Sequence, residues 1–250
     1  MKALVFAAGL GTRLKPITDT LPKALVPVCG EPLLYHVIGK LKAAGYGDIV
    51  VNVHHFPQLI RDWLASHDLG VDISISDESE QLLETGGGIL KAKELILPCT
   101  EPFLVHNVDI ISNLDLHWLQ RETRPDALAT LVVSERKTRR NLLFDDNMRL
   151  VGWMDHATGE VRSSYPGLDP ERCRNYAFAG IHNLHPRIFP HFGEWGFSGR
   201  FPIMDFYLKT CAAEPIYGAL AQNLSLVDVG KFDALEEAGK LCEKILTQNL

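Results

Sequence analysis

The sequence has no long apolar run, little cysteine and no surplus of positive charge, and each shortage removes a class of protein. No stretch of its 250 residues reaches the ~20 consecutive apolar residues that a bilayer-spanning helix needs, so no membrane partner is expected. Met1-Lys2-Ala3-Leu4-Val5-Phe6 runs straight into glycine-rich chain without the layout of a secretory leader, which predicts a cytoplasmic protein. The five cysteines (Cys29, Cys99, Cys173, Cys211, Cys242) are odd in number and form no Cys-x-x-Cys pair, which argues against a disulfide framework or zinc knuckle and for buried free thiols. Lys plus Arg is 25 against 31 Asp plus Glu, a net charge of −6, so no broad cationic face is offered to nucleic acid. His54-His55 and His182-x-x-His185 lack further ligands in sequence and read as structural rather than metal-binding.

What is present is ordinary globular material, 46% hydrophobic, arranged as alternating strands and helices. Apolar, β-branched runs predict strands at Lys2–Phe6, Asp48–Val53, Val71–Ile75 and Pro102–Val105. Between them, helix periodicity marks Leu33–Ala44, Gln58–Ser66 and Gly88–Leu95. Such alternation requires a largely parallel sheet with helices on both faces, an α/β fold. From Ala127 strand-like pieces dominate (Ala127–Val133, Asn141–Phe144, Leu150–Trp153, Tyr176–His182, Leu224–Val227), with helices at Phe201–Ala212 and Phe232–Leu246 and an exposed loop over Thr158–Arg174. No linker divides the chain, so residues 1–250 read as one domain, with halves at 1–126 and 127–250. Parallel sheets carry ligands beyond the carboxyl ends of their strands, which directs attention to the segments after Phe6, Ile75 and Val105.

After Phe6 comes Ala8-Gly9-Leu10-Gly11-Thr12-Arg13-Leu14-Lys15-Pro16-Ile17-Thr18, then Leu21-Pro22-Lys23. A dinucleotide fingerprint would need glycine at Leu14 and a helix running through Pro16; a P-loop would need Gly-Lys-Ser/Thr, which is absent here. What remains is an anion-cradling loop, glycines bringing N–H groups close to phosphate oxygens while Arg13 and Lys23 add charge. The segment resembles the sugar-1-phosphate nucleotidyltransferases, whose signature Gly-x-Gly-Thr-Arg-x-x-Pro-x-Thr, then Pro-Lys, is matched by Gly9, Gly11, Thr12, Arg13, Pro16, Thr18, Pro22 and Lys23. The resemblance implies a three-layer αβα, Rossmann-like fold with a mostly parallel sheet. It also implies that Ala8, Gly9, Gly11, Thr12 and Arg13 wrap a nucleoside triphosphate, with Arg13, Lys23 and Asp109 catalytic.

Leu82-Leu83-Glu84-Thr85-Gly86-Gly87-Gly88 places glycines where a flat ring could lie against the backbone. The resemblance assigns Thr85, Gly86 and Gly87 to the nucleobase, and the motif is similar to that of enzymes activating N-acetylmuramic acid 1-phosphate with UTP and mannose 1-phosphate with GTP. Asp109, after the fourth strand, is a hard carboxylate of the kind Mg²⁺ requires, although the family carries Gly-Asp where this chain has Val108-Asp109. Asp228-Val229-Gly230 resembles the family's second metal-binding carboxylate; Asp109 and Asp228 could each instead be helix caps. Tyr176-Ala177-Phe178-Ala179-Gly180-Ile181 resembles the strand lining the sugar pocket, with Asn175, Phe178 and Gly180 as its candidate contacts, and could equally be a plain core strand. The expected reaction joins a nucleoside triphosphate (UTP first, GTP next) to a sugar 1-phosphate, with Mg²⁺, giving an NDP-sugar and pyrophosphate. The rivals are a metal-dependent glycosyltransferase, a phosphocholine cytidylyltransferase-like enzyme and a catalytically silent relative.

Overall fold

The computed structural model describes residues 1–248. Strand β1 (Lys2–Phe6) turns Ala3 and Val5 to one face and Leu4 to the other, all fully buried, as a strand covered on both sides must. An irregular segment with three short 3-10 turns leads to α1 (Leu33–Ala43), whose Leu33, Leu34, Val37, Ile38 and Leu41 form one buried stripe. Gly45, at φ +84, ends it, and the Tyr46 N–H donates back to the Leu41 carbonyl at 3.0 Å. Then follow β2 (Asp48–Val53), α2 (Pro57–Ser66), β3 (Asp72–Asp77), α3 (Glu84–Lys91) and β4 (Phe103–Asn107). The four strands are parallel in the order β3-β2-β1-β4.

The remainder comprises β5 (Ile110–Ser112), α4 (Leu116–Glu122), β6 (Ala129–Ser134), β7 (Arg140–Phe144), β8 (Leu150–Asp155) and β9 (Arg174–Leu184). After these come α5 (Ile188–Glu194), α6 (Ile203–Thr210), β10 (Ile216–Leu220), β11 (Leu226–Asp228) and α7 (Phe232–Gln248). The long β9 joins the halves: it pairs antiparallel with β4, with β6 and, through Arg174–Tyr176, with β7. β10 lies parallel to β6. One apolar cluster on α1, α4 and α7 covers one face of this sheet, and a second on α3, α5 and α6 covers the other, giving three layers. Outside it, β5 and β11 form their own antiparallel pair, with Asp228 opposite Ile110. That small ribbon brings two carboxylate-bearing segments together.

Several elements differ from their sequence-based expectation. The helix expected from Gly88 begins at Glu84, so the three glycines lie inside it; their missing side chains make room for Phe201, the Gly199 carbonyl and Glu78. Helix α6 starts at Ile203, after Pro202, because proline favours the extended cap over a helix interior. Strands β5 and β10 and helices α4 and α5 carry no clear signal, being seven residues long or shorter. The Thr158–Arg174 segment is largely loop, with Val161–Arg162 pairing to β8. All five cysteines are free, but only Cys211 and Cys242 are buried; Cys29 is exposed. His54 and His55 tie down backbone carbonyls, of Glu78 at 2.7 Å and Thr18 at 3.2 Å, and among the described residues no group of three or more His, Cys, Asp or Glu could hold a metal ion. Among those residues no helix is long and apolar enough to cross a membrane.

Candidate active site

A crevice of about 510 Å³ opens at the carboxyl ends of β1, β2, β3 and β4, lined by the Ala8–Arg13 loop, Lys23, Glu84, Thr85, Asn107, Asp109 and Gly230 among others. Two buried side chains fix its floor. Asn52, an amide in an otherwise apolar strand, accepts the Ala7 and Ala8 N–H groups at 2.7 and 3.2 Å and donates to Glu78 at 2.7 Å. The second oxygen of the fully buried Glu78 accepts the Leu83 N–H at 2.9 Å, so one relay holds the glycine loop, β2 and the start of α3 in register.

The loop's irregular residue pattern has a physical reading. Gly11 takes φ +62, and a Cβ there would stand 2.8 Å from the Thr18 methyl and 3.2 Å from the Lys23 Cβ. Thr18, buried, donates its hydroxyl to the Gly11 carbonyl at 2.8 Å. Glycine, threonine and lysine are thus packed as one unit, which gives their fixed spacing in this loop a physical reason. Gly9, Leu10, Thr12 and Arg13 remain exposed at the lip.

Lys23 is 7% exposed and donates to the Asp109 carboxylate in an ion pair. Asp109 is no helix cap; α4 is capped by Asp115, which accepts the His117 N–H at 2.8 Å. Val108, in place of the family glycine, turns into the core at 4% exposure and donates its N–H to the Phe6 carbonyl at 3.1 Å. The Val229 N–H donates to the Asp109 carbonyl at 2.8 Å, locking the two carboxylate-bearing segments together. Desolvation, then the neighbouring Asp109 charge, push the Asp228 carboxyl above the ordinary carboxylate value, against the pull of Lys23, Arg13 and Arg136. The Arg13 guanidinium lies beside Gly230, where a Cβ would meet it at 2.7 Å. Two adjacent carboxylates flanked by two cations at the mouth of a glycine loop form a set able to hold a dication and phosphate oxygens together.

The other sequence candidates are distributed less simply. Gly86 and Gly87 are buried, and both N–H groups are donated to the Phe201 carbonyl, at 2.9 and 3.1 Å. Their glycine identity is required by internal packing: a Cβ on Gly87 would sit 2.2 Å from the Gly199 carbonyl oxygen. Thr85 lines the crevice while its hydroxyl accepts the Ile203 N–H at 2.9 Å. The crevice-facing residue of this motif that sequence reasoning missed is Glu84, at φ +61, whose Oε1 accepts from Arg200 at 2.9 Å while Oε2 takes no partner among the described residues. Of the sugar-side trio, only Gly180 abuts the crevice: at φ +73 in the β9 register shift, its α-carbon faces the Asn107 amide. Asn175 accepts from Asn141 at 3.2 Å, and Phe178, three residues on and so on the opposite face, packs with the second core and His182.

Comparison with known proteins identifies the family and the fold. Residues 2–142 match the family model described as nucleotidyl transferase. An N-acetylmuramate alpha-1-phosphate uridylyltransferase from Caulobacter vibrioides is 34% identical over 230 residues, covering 89% of each chain. A mannose-1-phosphate guanylyltransferase catalytic subunit beta from Danio rerio is 40% identical over 141 residues, 54% of this chain and 39% of that one. Among solved structures, an inositol-1-phosphate CTP transferase from T. maritima superposes with a TM-score of 0.77 at 17% identity, over 98% of this chain and 95% of that one, a likeness of fold.

Proposed function

The chain belongs to the nucleotidyl transferase family, and from that premise we propose that its crevice joins a nucleoside triphosphate to a sugar 1-phosphate, releasing pyrophosphate and leaving an NDP-sugar. The observation that carries the reading is the convergence of Lys23, Arg13, Asp109 and Asp228 beside the Gly9–Gly11 loop. An oxygen of the sugar phosphate attacks the α-phosphorus; the bond to the bridging oxygen breaks and pyrophosphate leaves with the electron pair. The attacking oxygen is already ionised at neutral pH, since the second pKa of a phosphate ester is about 6, so no general base is needed. Catalysis is positioning and charge neutralisation. The loop N–H groups of Gly9 to Arg13 cradle the triphosphate, Arg13 offsets charge gathering on the leaving pyrophosphate, and Lys23 holds oxygens of the reacting phosphate.

Asp109 and Asp228 suit Mg²⁺: both are hard oxygen donors, and a dication would offset the desolvation and then the Asp109 charge that together raise the Asp228 carboxyl. When bound, such an ion neutralises and orients phosphate oxygens. The base is read at the Glu84 end, where the free Oε2 accepts a ring N–H; uracil and guanine each offer one beside a carbonyl while cytosine and adenine do not, which supports UTP and GTP over CTP and ATP without ranking the two. The similarity to the Caulobacter vibrioides enzyme supports UTP first, ahead of GTP.

The test is pyrophosphate release with each of the four nucleoside triphosphates against N-acetylmuramic acid 1-phosphate, mannose 1-phosphate, glucose 1-phosphate and phosphocholine. Turnover with a sugar 1-phosphate and UTP or GTP is expected. Preference for phosphocholine and CTP, or transfer from a preformed NDP-sugar without pyrophosphate, contradicts it.

A further inference from the structure

The transfer reaction brings a second anion, the sugar phosphate, to a site whose charges are already committed. Lys23 is paired with Asp109, Arg13 is packed beside Gly230 on the triphosphate side, and Arg200 is bound to Glu84. On the sugar side the turn between β6 and β7 carries Arg136, Lys137 and Arg139, and Arg140 opens β7. Arg139 donates to both oxygens of the buried Asp155 at 2.9 Å, and Arg140 lies 3.5 Å from the same carboxylate. Arg136 and Lys137 are exposed and form no ion pair among the described residues, but only Arg136 turns toward the site, its Nη2 reaching over β9 to the Phe178 carbonyl at 3.4 Å. That carbonyl is two residues from Gly180, whose α-carbon faces Asn107 on the crevice wall.

We propose that Arg136 is the anchor for the phosphate of the incoming sugar 1-phosphate, holding it at the β9 register shift between Gly180 and the carboxylate pair. The long, weak bond to Phe178 parks the guanidinium without consuming its other donors, leaving the planar fork free for two phosphate oxygens. Arg136 shares a cavity lining with Leu226 and Val227, the residues that lead into Asp228. With Lys23 and Arg13 it surrounds the reacting centre, Arg13 toward the leaving pyrophosphate, Lys23 at the centre and Arg136 toward the acceptor. The proposal rests on the nucleotidyl-transfer reading above and adds a residue that family motifs do not point to.

Steady-state kinetics on R136Q, R136K and a neighbouring control, K137Q, test it, with UTP or GTP and whichever of N-acetylmuramic acid 1-phosphate or mannose 1-phosphate the unaltered protein uses. R136Q is expected to raise the acceptor KM about ten- to a hundredfold, leaving the triphosphate KM within about twofold and thermal stability unchanged, because the side chain is exposed. R136K recovers part of the loss, and K137Q behaves as the unaltered protein. An active protein whose R136Q variant keeps its acceptor KM, or shifts both KM values together with a lowered Tm, overturns the anchor and leaves the reaction standing. If the unaltered protein releases no pyrophosphate with any pair, the reaction itself fails and the anchor with it.

Discussion

Replacing Lys23 with Met tests stability and catalysis through one contact. Lys23 stands in a loop, yet its side chain is only 9% exposed and that of its partner Asp109 is 23% exposed. Exposed pairs contribute about 0–1 kcal/mol and breaking buried ones costs about 3–5. A pair between those limits, with Asp228 adding like charge beside the abandoned Asp109, should cost about 1–3 kcal/mol, or roughly 3–9 °C in Tm for a chain of this size. Because much of that cost is an uncompensated carboxylate, Asp109→Asn in the same chain should recover part of it, giving a coupling on the order of 1 kcal/mol in a double-mutant cycle. Turnover should fall about 10²- to 10³-fold, since the ammonium acts where charge gathers in the transition state. Urea unfolding of the four proteins measures the first effect and pyrophosphate release the second. A Lys23→Met protein of unchanged stability that turns over within about threefold of the unaltered one would refute both.

Asp109→Asn and Asp228→Asn should each abolish turnover at ordinary Mg²⁺ concentrations, checked by titrating the metal to tens of millimolar; full activity in excess chelator contradicts a metal role. Gly87→Ala should prevent folding or destabilise severely, its Cβ falling 2.2 Å from the Gly199 oxygen, whereas Gly9→Ala has open space and should keep its Tm while weakening triphosphate binding; circular-dichroism melts separate the two. Burial lowers His106 to about 4 and His182 to about 3, so both stay neutral in the core. Their contribution to stability is therefore present above the ordinary histidine value near 6.5 and is lost as pH falls from there toward about 4, because only the unfolded chain takes up the protons. Urea midpoints should drop accordingly between pH 7 and 5, and a flat profile would contradict this.

The parallel half of the fold is legible because its strands are apolar on both faces and its helices periodic: Lys2–Phe6, Leu33–Ala43 and Asp48–Val53 lie within a residue of expectation. What escaped reading depends on distant partners. Ile110–Ser112 is a strand only because Leu226–Asp228 lies against it, and Pro190 and Gly193 blur the short helix Ile188–Glu194. In the site, Gly11, Thr18, Lys23, Asp109 and Asp228 come together as their motifs imply. The glycines at 86–88 signal a close approach whose partners, Phe201, the Gly199 carbonyl and Glu78, lie elsewhere in the chain and are not readable from the motif. Asn52 left a signal, a lone amide in an apolar run; Glu84 and Arg136 left none, since their meaning comes from which charges nearby are already paired.

The most direct test of nucleotidyl transfer is phosphorus NMR of the protein with UTP, N-acetylmuramic acid 1-phosphate and Mg²⁺. The account predicts loss of the three triphosphate resonances and of the phosphomonoester, with matched growth of a diphosphate-diester pair and free pyrophosphate. Addition of pyrophosphate should drive the signals back, since no group is lost to water. Formation of UDP with inorganic phosphate, or a spectrum in which the sugar phosphate is unchanged with every triphosphate and sugar 1-phosphate of the panel, would contradict it.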